Sequence, residues 1–199
     1  MGLAGGVGAG KSTVSAMMKE LGAGVIGSDA LGHQEINTPD VKRTLVEWWG
    51  KAVIAADGSV DRGRVASIVF GDESQRRRLE ALLHPRIARR HDEMMAEFDR
   101  QDDVKFIVID SPLLFEAKLD RLCDAVVFVE APLDAREERS EKYRRWPRGT
   151  LARREKNQQP LDMKRRRADY ICDNNSTLNE LRKQVEEIVT TILSAFRAA

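Results

Sequence analysis

Several things are scarce in this chain of 199 residues, and each scarcity excludes something. Cysteine occurs twice, as Cys123 and Cys172, with no metal-ligand spacing, so both read as buried thiols of a reducing cytoplasm. No apolar stretch approaches the ~18 residues a membrane span needs. The longest are short, such as Ala125 to Val129. Nothing at the N-terminus resembles a signal peptide, and Gly6 stands where a myristoylation site needs Ser or Thr. Neither sign of charge dominates, with 33 Lys/Arg against 32 Asp/Glu and a net charge of +1. Internal repeats and low-complexity tracts are missing too. The remainder, 42% hydrophobic and 33% charged, describes a soluble cytoplasmic protein with one substantial core and no membrane partner.

What is present is concentrated near the start. Residues Gly5 to Ser12 fit G-x-x-x-x-G-K-[ST], the phosphate-binding P-loop. Gly5, Gly6, Gly8 and Gly10 let the backbone turn its N–H groups into one concavity, and Val7 and Ala9 contribute theirs between them. The concavity opens a helix whose positive end favours an anion. Lys11 reaches the β- and γ-phosphates of a nucleoside triphosphate, Ser12 is placed to ligate Mg²⁺, and Thr13 continues the loop. Val14, Met17, Met18 and Leu21 then recur at helical spacing, as the motif requires. A dinucleotide fingerprint starting at Gly8 fails because its third glycine falls on Thr13. Only Met1 to Ala4 precede the loop, so either the first strand is short or the chain begins upstream of this Met.

Short apolar runs alternate with helical patterns, which predicts an α/β fold with a parallel sheet. Candidate strands are Met1 to Ala4, Gly24 to Ile26, Val104 to Ile109, Ala125 to Val129 and Tyr170 to Cys172. Ligands collect at the carboxyl ends of such strands. Asp29, Asp110 and Glu130 lie at or just past three of them. About 75 residues separate the second and third strands, far more than one crossover helix needs. They hold the turn "AADGSVDRG" and a helical stretch from about Glu73 to Phe98, with Ile87, His91, Met94, Met95 and Phe98 on one face. Pro85 is expected to interrupt or bend that stretch. From Arg136 to Arg167 there are 13 Lys/Arg against 5 Asp/Glu, which suits a polyanionic ligand. A terminal amphipathic helix places Leu178, Leu181, Val185, Ile188, Val189, Ile192 and Phe196 toward the core.

The motifs taken together resemble the dephospho-coenzyme A kinase family. "GLAGGVGAGKSTV", "VIGSDALGH", "DGSVDRGRVASIVF", "LEALLHPRI", "SPLLFE" and "QQPLDMKRRRADYICDNN" follow in that family's order over about 175 residues. The resemblance implies a five-stranded P-loop kinase core (1–29, 103–135 and 168–199), an inserted helical substrate subdomain (about 30–102) and a lid (about 136–167). It implies transfer of the ATP γ-phosphoryl group, with Mg²⁺, to the ribose 3′-hydroxyl of dephospho-coenzyme A. Asp29 matches the family's general base, beside Lys11 in the catalytic pair. Arg139 and Asn174 match ATP-binding positions, and Arg62, His84, Pro112, Leu113 and Glu116 fall in substrate-binding motifs. Two positions depart: Gly27 stands where the family usually has a second Asp, and Arg136 stands where it favours Gln.

Each residue also has a plainer reading. Asp29 suits a helix N-cap. Asp110 either holds Mg²⁺, through water, or begins the turn before Pro112. His84 is equally a structural histidine, and Asn174 a turn residue. Arg76 to Arg78 read as a solvated helix face. Lys164 to Arg167 read the same way, or as contacts to ATP or to the 3′-side of the substrate.

Among other functions, a GTPase switch finds D-x-x-G at Asp29 to Gly32 but no N-K-x-D guanine reader. A nucleic-acid-binding ATPase finds only Tyr143 and Trp146 interleaved in the basic segment, so nucleic acid is not an expected partner. Another small-molecule P-loop kinase, acting on a nucleotide or nucleoside, is the serious alternative. The sequence fixes no oligomeric state.

Overall fold

The five apolar runs form five parallel strands. Residues 1–156 and 158–197 are described by the computed structural model. In chain order the elements begin with β1 (Gly2–Gly5), α1 (Lys11–Glu20), β2 (Ala23–Gly27), α2 (Ser28–Ile36), α3 (Pro39–Trp49), α4 (Arg62–Gly71) and α5 (Glu73–Phe98). Then follow β3 (Phe106–Asp110), β4 (Val126–Glu130), α6 (Leu133–Arg144), α7 (Thr150–Glu155), α8 (Leu161–Arg166), β5 (Tyr170–Asp173) and α9 (Leu178–Arg197). The strand order is β2-β3-β1-β4-β5, and every pairing is parallel. The α/β parallel architecture expected from the sequence is therefore the one found.

Parallel strands buried on both faces read as continuous apolar runs, and this sheet explains why. Leu3, Val108, Val127, Val129 and Cys172 point to one face, against Val14, Met17 and Met18 of α1 and Leu181, Val185, Val189 and Ile192 of α9. Their neighbours Ala4, Ile109, Val126 and Phe128 point to the other, where Leu114 and Phe115 cover them. Each fully buried aliphatic side chain contributes roughly 1.5–3 kcal/mol, so the four buried residues of α9 anchor it firmly. The outer members of its expected stripe do not join in. Leu178 and Phe196 are exposed, because they lie at the two ends of the helix, beyond the sheet's cover.

The chain divides into two compact units, Met1–Gly27 with Phe98–Ala199, and Ser28–Glu97. The second has its own core of Ile36, Val41, Leu45, Val53, Val60 and Val65. Its polar ties are local: Asp61 caps α4 by accepting from the Arg64 N–H (3.1 Å), and Asn37 accepts from the Val60 N–H (2.8 Å). Trp49 donates to Gln75 (2.8 Å), and Arg86 pairs with Asp40.

One of the two alternatives expected at Pro85, an interruption, needs correction. Pro85 does not interrupt α5, which runs through it without a break. The proline and Ala81, whose carbonyl loses its donor, are both exposed, so water can serve that carbonyl. Arg76 to Arg78 are all exposed, as a solvated helix face requires. Arg76 and Arg77 pair with Glu73 and Glu80 at the surface, whereas Arg78 stacks 3.9 Å from the centroid of Trp48.

Candidate active site

The P-loop joins β1 to α1, and its last turn is fixed by Gly10. The N–H groups of Thr13 (2.9 Å) and Val14 (3.1 Å) both close on the Gly10 carbonyl. Gly10 itself has φ +98°, and a Cβ there would lie 2.1 Å from Asn174 Nδ2. Only glycine fits both the conformation and the space. The loop thus runs into the N-terminus of α1, the end of a helix that favours an anion.

Three side chains hold the loop in shape. Asn174, just past β5 and 7% exposed, donates to the Ala9 carbonyl (2.8 Å) while its own N–H bonds the Glu130 carbonyl (2.8 Å). Arg139 of α6 donates to the carbonyls of Asn174 (2.9 Å) and Ala9 (3.4 Å). Lys11 folds back onto the carbonyls of Gly5 (3.1 Å) and Gly6 (3.4 Å), which tethers its ammonium at the loop where a triphosphate would lie. Sequence reading assigned Arg139 and Asn174 to ATP, and both meet on Ala9.

A third cation at the loop was set aside in the sequence as a departure. Arg136 lies three residues before Arg139, hence on the same face of α6. It is buried, donates to the Val7 carbonyl (3.3 Å) and pairs with Glu155 of α7. Glu155 in turn accepts from the Val7 N–H (3.1 Å). Nothing in the spacing of a charged, surface-like segment signalled Glu155. Nearby, a cavity of about 200 Å³ is lined by Gly6, Ala9, Arg136, Leu161 and Arg165 among others.

The "PLLFE" segment grips the chain that follows α7. Glu116 accepts from the Gln159 N–H (2.7 Å) and from Lys164 (2.9 Å), and the Pro112 carbonyl accepts from Lys164 as well (2.9 Å). Lys164 is therefore no part of a solvated face. Arg165 and Arg167 pair with Glu130 and Asp120, which leaves Arg166 the most solvated of the four, 79% exposed beside Asp162. Leu113 is exposed. Between α6 and α7, Trp146 lies 4.9 Å from the Arg144 guanidinium and 4.0 Å from that of Arg154.

Residues 1–180 match the family model described as Dephospho-CoA kinase. The chain belongs to the dephospho-CoA kinase family. A dephospho-CoA kinase of Symbiobacterium thermophilum is 39% identical over 208 residues, covering 100% of this chain and 80% of that one. Among solved structures, TT1252 from Thermus thermophilus superposes with a TM-score of 0.84 at 30% identity, covering 96% of each chain. The dephospho-CoA kinase of Campylobacter jejuni superposes at 0.71 and 21% identity, over 98% of this chain and 96% of that one, which speaks for the fold. As a family member the chain is an ATP-dependent kinase of the last step of coenzyme A synthesis.

Asp29, Arg62 and His84 fall in the second unit. Asp29 is exposed in the first turn of α2, where a carboxylate complements the helix dipole. Its neighbour Ser28 bonds Nε2 of the buried His91 (3.2 Å), a partner that appeared in the sequence only as one residue of an apolar face. Burial holds the His91 imidazole below its usual pKa. Arg62 of α4 lies 3.4 Å from Nδ1 of His33, and His84 is exposed on α5.

For a metal, Ser12 at the start of α1 and Asp110 at the end of β3 are hard oxygen donors of the kind Mg²⁺ prefers. Asp110 is in register with Leu3 of β1, the strand that leads into the loop. Mg²⁺ keeps several waters and takes substrate phosphates as ligands, so one hydroxyl and one carboxylate suffice. The donor set fits that ion.

Proposed function

We propose that this chain transfers the γ-phosphoryl group of ATP to the ribose 3′-hydroxyl of dephospho-coenzyme A, giving coenzyme A and ADP. The observation that carries the reading is a P-loop with Lys11 at its carbonyls in a chain whose residues 1–180 match the family. The P-loop from Gly5 to Thr13 and the Lys11 ammonium hold the triphosphate, while Arg139 and Asn174 keep the loop in its cradle shape. Ser12, with Asp110 through water, holds Mg²⁺, which supplies charge neutralisation on the phosphates when bound. Asp29 orients the acceptor hydroxyl and accepts its proton late, as suits a loose transition state. Arg62, His84, Pro112, Leu113 and Glu116 serve acceptor binding.

The basic segment from Arg136 to Arg167 acts as a lid that excludes water from the γ-phosphate. Two phosphate-bearing small molecules, and not a nucleic acid, are its partners, and the cytoplasm is its place of action. The experiment is to locate the phosphate in the product by ³¹P NMR and sensitivity to a 3′-nucleotidase. A new 3′-phosphomonoester, formed only with Mg²⁺ and ATP present, is expected. A product phosphorylated elsewhere would overturn the reading.

A further inference from the structure

Glu155 occupies part of the phosphate cradle. Its Oε1 accepts from the Val7 N–H at 3.1 Å, and the same oxygen pairs with Arg136, whose Nη1 also reaches the Val7 carbonyl at 3.3 Å. Both groups lie against the bare α-carbon of Gly6, where a Cβ would come within 2.7 Å of Arg136 Nη1 and 3.0 Å of Glu155 Oε1. An anionic oxygen thus sits on a loop N–H with a guanidinium behind it. A phosphate oxygen in this motif makes the same two interactions.

The pair is not equivalent to a surface ion pair. Arg136 is 6% exposed and its Nε has no hydrogen-bond partner among the described residues. A buried guanidinium without a counter-ion is strongly destabilising. Glu155 therefore cannot leave unless another anion arrives, and a triphosphate cannot take the Val7 N–H while the carboxylate holds it. The two events are one exchange.

We propose that Glu155 is an internal stand-in for a phosphate oxygen, and that Arg136 is an ATP-binding residue held ready by it. ATP displaces the carboxylate from Val7 and takes over the guanidinium. The displaced residue ends α7, so the exchange also frees that helix to move. This rests on the reading that the P-loop binds ATP. ATP affinity then measures a competition, and weakening the internal anion must strengthen the external one.

The test is calorimetric titration of the intact enzyme with ATP, inorganic tripolyphosphate and adenosine. Glu155→Gln should bind ATP and tripolyphosphate about tenfold more tightly than the unsubstituted enzyme, a gain of about 1.4 kcal/mol. Adenosine affinity should not change. Glu155→Asp keeps the charge on a shorter stem that reaches Val7 poorly, and should shift affinity in the same direction if the first variant folds badly. The double variant Arg136→Gln with Glu155→Gln should lose the gain. Equal or weaker triphosphate binding in both Glu155 variants would overturn the exchange, as would a gain that survives in the double variant. If the unsubstituted enzyme, folded, binds no ATP, the functional reading falls as well. If it binds ATP and the Glu155 variants gain nothing, only the exchange falls.

Discussion

The ammonium of Lys164, 1% exposed, lies 2.9 Å from the carboxylate of Glu116. The Pro112 carbonyl and the Gln158 side chain complete its shell at 2.9 and 3.0 Å. A lysine this deeply buried is stable only while all its donors are used. The pair therefore joins the segment after β3 to α8, the stretch by which the proposed lid returns to the core.

Lys164→Ala should destabilise the fold by about 3 kcal/mol, the low end for breaking a buried pair because Glu116 is partly exposed. For a chain of this size that lowers Tm by roughly 6–12 °C. Thermal melts check the first effect, and KM for ATP should change little in the folded variant. A large rise in that KM with no loss of Tm would make Lys164 a ligand of ATP instead.

Gly10 and Asn174 should behave as a coupled pair. Gly10→Ala should lose nearly all ATP binding, because its Cβ would lie 2.1 Å from Asn174 Nδ2 and its φ of +98° suits only glycine. Asn174→Ala removes the obstructing amide and the bond to Ala9, costing about 1–3 kcal/mol by itself. The double variant should bind ATP better than Gly10→Ala alone, yet worse than the unsubstituted enzyme, since the backbone strain remains. Calorimetric titration of the three variants checks this. No recovery in the double variant would remove Asn174 from the account of the loop.

Asp29→Asn keeps the shape of the side chain in the first turn of α2 but loses its charge and cannot accept a proton. We expect kcat to fall by ~10²–10⁴-fold with KM for ATP nearly unchanged. Steady-state kinetics and a melt on the same preparation separate the outcomes. A change in Tm alone would leave Asp29 a helix-terminus residue and shift the role of base to Asp110.

The sequence disclosed what local chemistry dictates. The P-loop was legible because its glycines, Lys11 and Ser12 are required at fixed spacing. The sheet was legible because a strand buried on two faces must be apolar throughout, as Val126 to Val129 are. Even the limits of α5, Glu73 to Phe98, followed from its pattern. Partnerships made by distant segments were not legible. Lys164 sits in a run of four basic residues and looks like its solvated neighbours, and only the fold brings Glu116 to it. Glu155 is one acid in a basic stretch, and its bond to Val7 spans 148 residues. Nothing local marks either residue, because the energy that places them comes from tertiary burial.

Cys172 provides a pH test of the core. Its thiol is fully buried beneath the sheet, and burial pushes its pKa from 9.0 up to about 11. Below pH 9 the thiol is neutral in both states, so its contribution to stability is fully present there. As pH rises from about 9 to about 11 the unfolded chain ionises and the folded one does not, so stability falls across that window. Cys172→Ala should be less stable at neutral pH through the cavity it leaves, yet lose less stability over the alkaline window. Parallel slopes in denaturation series at several pH values would show that Cys172 titrates freely.

The most direct measurement of what the enzyme does is ADP release with matched concentrations of dephospho-coenzyme A, adenosine, AMP, CMP, uridine and shikimate as acceptors. Binding energy from the pantetheine arm should hold the 3′-hydroxyl in line, so the small acceptors should lose kcat as well as affinity. Dephospho-coenzyme A is expected to lead every other acceptor by ~10²-fold or more in kcat/KM, a difference of about 2.7 kcal/mol in transition-state binding. A comparable preference for any of the other five would contradict the assignment of the acceptor.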